Sequence, residues 1–250
     1  LGDICRIYKS DKTYIDCEVI GIKNQDVFIA SYGLVEGITF GDVVYSYDSP
    51  LSIMCSDKLL GMTLDGMGKP LNEFGHKFYE KPISIHNRAV NPLDKPRIKE
   101  HIQTGVRTID GLLTVGKGQR MGIMSGTGVG KSTLLSMIAR NTSADINVIA
   151  LIGERRREVR DFIERDLGEE GLKKSVIIVA SSDDAPLLRV RAAYTATTIA
   201  EYFRDKGKDV MFMMDSVTRF ALAQREIGLS RGEPATTRGY TPSVFSELSQ

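Results

Sequence analysis

The stretch SGTGVGKST, Ser125–Thr133, lies between a short apolar run and an amphipathic run, which is the setting of a phosphate-binding loop between strand and helix. Its three glycines let successive N–H groups turn inward, and a following helix adds the positive end of its dipole. The strict pattern has glycine at Ser125, but a small residue suffices where a strand turns into the loop. The sequence therefore predicts an ATP site with bound Mg²⁺.

Each position of this loop has a predicted contact. Lys131 is placed to reach the terminal phosphates, and the Ser132 hydroxyl is placed to ligate Mg²⁺. The alternative is a glycine-rich turn that binds nothing, which the adjacent lysine and serine argue against. The predicted nucleotide-binding residues are Ser125, Gly126, Thr127, Gly128, Val129, Gly130, Lys131, Ser132 and Thr133.

Short apolar runs alternate with longer helical stretches from residue 100 onward. The runs are RMGIM ending at Met124, INVIALIG at Gly153, SVIIVAS at Ser181 and DVMFMMD at Asp215. Near-continuous apolar strands separated by helices indicate an α/β fold with a parallel sheet that is covered on both faces. Ligands of such sheets bind beyond the carboxyl ends of the strands, so the loops after Met124, Gly153 and Asp215 should converge.

One of these runs ends at an acidic residue and another is followed directly by one, and we predict both residues to belong to the site. Asp215 would hold Mg²⁺ through metal-bound water, although an aspartate in this position more often caps the next helix. Glu154, in GERRREVRDFIE, would polarise the water that attacks the γ-phosphate. Arg155 beside it would offset charge in the transition state. The alternative for this segment is a solvated helical face, which we favour only for Arg157, Glu158 and Arg160.

The rest of the chain divides by composition. Residues 1–48 contain short β-branched and aromatic runs, which predict a partial β-barrel domain. Residues 49–99 are rich in Gly, Pro and Asn and read as a connecting segment that packs on the core, which occupies residues 100–250. Because the first residue is not Met and the sequence stops inside an amphipathic run, we expect a fragment.

Two polar segments receive less specific interpretations. Asp183 and Asp184 precede a helical run that begins with Pro186, so we expect them to cap that helix and complement its dipole. Residues 229–242 form a polar loop containing Gly and Pro, to which no chemistry is assigned.

Composition excludes several classes of protein. The 33 basic and 32 acidic side chains nearly cancel, so a role that depends on neutralising nucleic-acid phosphates is disfavoured. No apolar run is long enough for a membrane helix, and we expect a cytoplasmic protein. Metal-ligand spacing is lacking among the cysteines and histidines, Cys5, Cys17, Cys55, His76, His86 and His101, so no structural metal is expected.

The residues also carry a resemblance to a known family. It rests on TGVRTIDGLLTVGKGQRMGIMSGTGVGKSTLL, on GERRREVRDFIE, and on RAAYTATTIAEYFRDKGKDVMFMMDSVTRFALAQREIGLSRGEPATTRGYTPSVFSEL. These stretches resemble the catalytic subunits of rotary-type ATPases and, among them, the flagellar protein-export ATPases, which are relatives of type III secretion ATPases. The likeness is strong from Lys99 to Gln250 and looser before. Members of this family have a small residue at the position of Ser125.

The resemblance implies an architecture and an assembly. A small β-barrel would precede a RecA-like ATPase core and a C-terminal helical domain, which we expect to be absent from this chain. Six copies would form a homohexameric ring that binds ATP between subunits. The trans-acting arginine and adenine-stacking aromatics of the family lie beyond the equivalent of Gln250, so this piece alone is expected to be mostly monomeric and poorly active.

The resemblance also implies roles and partners. Lys131 and Ser132 would contact phosphate and Mg²⁺, Asp215 would be the magnesium-side carboxylate, Glu154 would activate water, and Arg155 would approach the γ-phosphate from the same subunit. The implied partners are a stalk-like protein, a regulatory peripheral-stalk protein, export chaperones and substrates, and the export gate at the inner face of the cytoplasmic membrane. No nucleic acid is expected.

Three other functions remain as alternatives. A virulence-type secretion ATPase is closely similar, and the run DSVTRFALAQREIGLSRGEP favours the flagellar branch by likeness only. A non-catalytic nucleotide-binding ring subunit would lack the water-activating carboxylate, so Glu154 favours catalysis. An RNA-tracking helicase would need an aromatic, basic platform near the N-terminus. The aromatic residues there lack a Lys/Arg cluster and are interpreted as barrel core: Tyr14, Phe28, Tyr32 and Phe40.

Overall fold

An antiparallel sheet forms the N-terminal part of the protein. The computed structural model describes residues 1–71, 82–87, 91, 93–126 and 128–249. The four strands of this sheet are β1 (Asp3–Tyr8), β2 (Tyr14–Lys23), β3 (Asp26–Ser31) and β4 (Val43–Pro50), in the order β3-β2-β1-β4. Alternating residues of β1 and β2 point to one face and bury Cys5, Ile7, Ile15 and Cys17 there.

The aromatic residues that were interpreted as barrel core are divided between interior and surface. Tyr32 is buried, whereas half of Tyr14 and all of Phe40 are exposed. Tyr14 lies on the open face of the sheet, where the Arg6 guanidinium carbon lies 3.9 Å from the ring centroid. The interpretation is therefore wrong for Tyr14, because the open sheet covers only one of its faces, and for Phe40, which lies outside the strands in the turn before β4.

The segment after β4 contributes three short strands. These are β5 (Ser52–Met54), β6 (Thr63–Asp65) and β7 (Pro82–Ser84), with β5 antiparallel to β7. β6 pairs in parallel with a later strand and so becomes part of the main sheet. The parts of this segment at 72–81, 88–90 and 92, and with them His76, lie outside the described residues, as do Thr127 and Gln250.

The remaining elements alternate between strands and helices. In chain order they are β8 (His101–Ile102), α1 (Arg107–Leu112), β9 (Val115–Gly116), α2 (Lys131–Asn141), β10 (Ile146–Glu154), α3 (Arg156–Asp161), a π-helical turn (Phe162–Leu167), α4 (Gly168–Lys173), β11 (Ser175–Ser181), α5 (Pro186–Asp205), β12 (Val210–Asp215), α6 (Val217–Ser230), a 3-10 turn (Thr237–Gly239) and α7 (Pro242–Leu248). None of the helices in the described ranges has both the length and the apolar character needed to cross a membrane.

A parallel sheet in the order β12-β10-β11-β6 forms the core. Alternating residues of β10 point to opposite faces: Val148 and Ile152 pack with α5 and α6, and Ile149 and Leu151 pack with α2 and the π-helical turn. Burial on both faces explains why these strands are almost uniformly apolar. The predicted parallel sheet with two covered faces is confirmed.

The run RMGIM, which was predicted as a strand, carries no regular secondary structure. Met124 is almost entirely exposed, and Gly122 interrupts the run without a side chain to bury. β12 is consequently an edge strand of the described sheet. The prediction was wrong because an apolar run becomes a central strand only where both of its faces are covered.

The start of α5 also differs from prediction. Its N-cap is Ala185, which has no capping side chain, and Pro186 begins the helix as expected. Asp184 instead accepts hydrogen bonds from the backbone N and the Oγ of Ser181, at 2.6 and 2.7 Å. The aspartate therefore closes the turn after β11 rather than capping α5.

A buried ion pair joins the N-terminal sheet to the core. The Arg191 guanidinium of α5 contacts both carboxylate oxygens of Glu18 in β2, with Nε 2.7 Å from Oε2. The Tyr32 hydroxyl donates to Oε2 of the same carboxylate at 2.5 Å. Glu18 is only 1% exposed, so these two partners, and not water, stabilise its carboxylate.

Candidate nucleotide site

The predicted phosphate loop leads directly into α2. Gly128 and Gly130 have φ angles of +77° and +96°, which glycine adopts without strain, and no heavy atom lies within 4 Å of where their Cβ atoms would be. The described residues of the loop before Lys131 are exposed. Open space, exposed backbone and the N-terminus of an 11-residue helix suit an anion, so the loop fits a phosphate group.

Lys131 and Asp215 meet at the edge of the sheet. Lys131 is the first residue of α2 and Asp215 is the last residue of β12. The Lys131 ammonium donates to Asp215 Oδ1, and the carboxylate side chain is only 5% exposed. A lysine that can reach a phosphate therefore lies against the carboxylate predicted to face Mg²⁺.

Glu154 ends β10, the strand that pairs with β12. Burial raises the pKa of the Glu154 carboxyl, the Arg219 guanidinium opposes this shift, and the charge of Asp215 adds to it. A carboxylate with raised proton affinity that lies beside the phosphate loop is suited to take a proton from water.

Arg219 holds this carboxylate and the turn before it. Its Nη1 donates to the Gly153 carbonyl at 2.6 Å, and its Nε lies 3.4 Å from Glu154 Oε1. Gly153 has a φ of +72°, and the pairing of β10 with β11 shifts register between Ile152 and Glu154. Arg219 is not among the residues predicted from the sequence, although its place in the first turn of the helix after Asp215 is a signal for it.

The two arginines after Glu154 are mostly exposed and pair with acidic neighbours. Arg155 Nη1 lies 3.5 Å from Glu158 Oε1, within the segment that was interpreted as a solvated face. Arg156 Nη2 lies 2.9 Å from Asp183 Oδ2, so the ion pair joins the segments that follow β10 and β11. The catalytic role predicted for Arg155 would require its side chain to leave Glu158.

The donors at this edge suit Mg²⁺ bound together with a nucleotide. Ser132 is exposed in the first turn of α2, and the buried Asp215 carboxylate lies beside the neighbouring Lys131. In the described part of the chain, no group of three or more His, Cys, Asp or Glu residues is placed to hold a metal. Mg²⁺ with a nucleotide needs few protein ligands, because phosphate and water oxygens supply the others.

Comparison with known proteins points in the same direction as the geometry. The profile of the ATP synthase alpha/beta family, nucleotide-binding domain, matches residues 105–250. The chain is 53% identical to the flagellum-specific ATP synthase of Bacillus subtilis, over 99% of this chain and 57% of that one. It is 48% identical to the type 3 secretion system ATPase of Xanthomonas euvesicatoria, over 99% of this chain and 56% of that one. It thus spans little more than half the length of these relatives.

A solved structure shows the same likeness in three dimensions. The assembled ATPase EscN, in complex with its central stalk EscO from the enteropathogenic E. coli type III secretion system, matches with a TM-score of 0.89 and 45% identity. The match covers 98% of this chain and 60% of that one. The fold is therefore that of a RecA-like ATPase core.

Proposed function

This chain belongs to the ATP synthase alpha/beta family, and on that premise we propose that it is part of an ATP-hydrolysing motor subunit of the flagellar protein-export apparatus. One observation carries the proposal. Lys131 at the start of α2, Asp215 at the end of β12 and Glu154 at the end of β10 lie at one edge of the sheet, beside an open glycine loop.

Each of these residues has a role in the proposed reaction. The loop amides and Lys131 bind the phosphates of ATP, and Ser132 and Asp215 would hold a magnesium ion. Mg²⁺, when bound with the nucleotide, supplies positive charge to the phosphoryl oxygens. Glu154 accepts a proton from the attacking water, and Arg219 keeps its carboxylate in place. Arg155 approaches the γ-phosphate from the same subunit after it leaves Glu158.

The relatives support the flagellar branch over the alternatives. Proteins named flagellum-specific ATP synthase include those of Bacillus subtilis at 53% identity and Treponema pallidum at 51% identity. The presence of Glu154 argues against a non-catalytic ring subunit. A virulence-type secretion ATPase would use the same site on different cargo.

The assembly is proposed from the structural relative. EscN is assembled and bound to its central stalk, which supports a homohexameric ring that binds ATP at subunit interfaces and contacts a stalk-like protein. The flagellar role adds a regulatory peripheral-stalk protein, export chaperones and substrates, and an export gate. The protein would then act in the cytoplasm, at the inner face of the cytoplasmic membrane.

Hydrolysis by the full-length protein tests the proposal. We expect phosphate release to fall by about 10³-fold or more in Lys131→Ala and in Glu154→Gln, because they remove the phosphate contact and the base. Lys173→Ala is the matched control, since this exposed lysine pairs with Glu170 on α4. If Glu154→Gln hydrolyses ATP as fast as the parent, the proposed base is wrong.

A further inference from the structure

The Lys131–Asp215 ion pair couples nucleotide binding to metal binding. We propose that each residue neutralises the other until ATP and a divalent cation arrive together, so that the site discriminates against ATP without Mg²⁺. The inference rests on the proposed function, because it assumes that ATP occupies the loop. It adds that the chain's own ion pair, and not only the metal's bonds to phosphate, sets the metal dependence of binding.

The pair is asymmetric in its exposure to solvent. The Asp215 side chain is 5% exposed, whereas that of Lys131 is 31% exposed at the mouth of the loop. The lysine can therefore move toward a ligand, whereas the carboxylate has little contact with water. Without Lys131, Asp215 would be a buried charge without its ion-pair partner, which is costly.

The other charges near Asp215 do not replace Lys131. Glu154, on the adjacent strand, is itself negative, and its pKa is raised further by Asp215. The Arg219 guanidinium is engaged by the Gly153 carbonyl and the Glu154 carboxylate. Among the described residues, the structure thus assigns the neutralisation of Asp215 to Lys131.

Each ligand alone therefore meets an unfavourable site. A phosphate that draws Lys131 away leaves the Asp215 carboxylate without its ion-pair partner. A cation that approaches Asp215 is repelled by the ammonium group of Lys131. When both bind, the ammonium pairs with phosphate and the cation pairs with the carboxylate. The two binding equilibria are linked, and such linkage commonly changes affinity by about 5–150-fold.

Calorimetry on the full-length protein can measure this linkage. The affinity for ATP is determined with Mg²⁺ and with EDTA in the parent and in Asp215→Asn. We expect the substitution to tighten ATP binding in EDTA by about 10-fold, because Lys131 is then free to bind phosphate and no buried carboxylate loses its partner. The ratio of affinities with and without Mg²⁺ should fall accordingly. Asp183→Asn is the control at the same edge of the sheet and should leave this ratio unchanged.

The possible outcomes separate the inference from the proposed function. Unchanged or weaker ATP binding by Asp215→Asn in EDTA would overturn the inference. A parent that does not bind ATP even with Mg²⁺ would instead refute the proposed function. Lys131→Met is the second variant: it should bind Mn²⁺ alone more tightly than the parent in electron paramagnetic resonance titrations. Equal Mn²⁺ binding by the two proteins would also overturn the inference.

Discussion

Glu154 combines partial burial with a position beside two charged residues. Burial raises its carboxyl pKa above the ordinary value of 4.5, despite Arg219. The base must be ionised to accept a proton, so we expect kcat/KM to fall as pH decreases, with a midpoint above 4.5. Hydrolysis assays across this range with the full-length protein would show it. A midpoint at or below the ordinary glutamate value would contradict the assignment.

The same pKa shift makes a prediction about stability. A group whose pKa is raised by folding contributes stability that is present below its unfolded pKa and lost as pH rises through its folded pKa. Glutamine does not ionise, so Glu154→Gln avoids the loss of stability at high pH. The free energy of unfolding of the variant should exceed that of the parent at pH about 8, and the difference between the two should shrink toward pH about 5. Urea unfolding at the two pH values measures this. A difference that grows on acidification would contradict it.

Arg219 should affect the rate through Glu154. Arg219→Gln removes the contacts with the Gly153 carbonyl and the Glu154 carboxylate, so kcat should fall by about 10–100-fold. Because the arginine lowers the pKa of Glu154, the acid limb of the pH profile should also move to higher pH. The control is Arg225→Gln on the same helix, where the side chain donates to the Gly239 carbonyl. A fall in kcat without a shift of the acid limb would indicate a purely structural role.

At the scale of elements, the turn after β6 lies very close to α5. A Cβ on Gly66 would be 2.6 Å from the Leu188 carbonyl oxygen, which is backbone and cannot swing away. Gly66→Ala should therefore lower the free energy of unfolding by about 1–3 kcal/mol in urea titrations.

A second glycine provides the control for this prediction. Gly111 lies in α1, and a Cβ there would have no heavy atom within 4 Å. Gly111→Ala should be neutral or add up to about 1 kcal/mol, because alanine is the better helix former. Equal losses in the two variants would show that the contact between the β6 turn and α5 is not the cause.

An element could be predicted from the sequence where its own residues carry the pattern, and could not where it depends on contacts with distant residues. β10, β11 and β12 are long apolar runs with helices between them, so their pattern alone indicates buried parallel strands. β6 has three residues and is a strand only because it pairs with β11, which is a tertiary effect. The run before the phosphate loop had the right composition, yet its surroundings do not cover it.

The site was predictable to a similar extent. Lys131, Asp215 and Glu154 are each at the end of an element, and the topology alone brings such positions together. The catalytic roles of these residues remain proposals. The position of Arg219 in the first turn after Asp215 indicates that it lies near the site, but its contact with the Gly153 carbonyl depends on the register shift and the positive φ at Gly153, which the sequence does not show.

At the scale of the whole molecule, the N-terminal sheet and the core are joined through charge rather than through apolar packing alone. Glu18 of β2 is buried against Arg191 of α5, and burial together with the Glu18 charge raises the pKa of the Tyr32 hydroxyl, which therefore stays a donor. Arg191 also lies over the ring of Tyr194, whose hydroxyl donates to Glu247 of α7. The network thus connects β2, α5 and α7.

Substitution of one partner of the Glu18–Arg191 pair should cost much more than replacement of both. Arg191→Met leaves a buried carboxylate without its cation and should lower the free energy of unfolding by about 3–5 kcal/mol. The double variant Glu18→Leu/Arg191→Met buries no charge and should be less destabilised than Arg191→Met alone. Arg6→Met is the comparison, since the Arg6–Asp16 pair is partly exposed and its loss should cost at most about 1 kcal/mol. Urea unfolding of the parent, Glu18→Leu, Arg191→Met, the double variant and Arg6→Met measures these differences. If the loss of unfolding free energy in the double variant equals the sum of the losses in its two single variants, the two side chains act independently and do not form the ion pair that joins the sheet to the core.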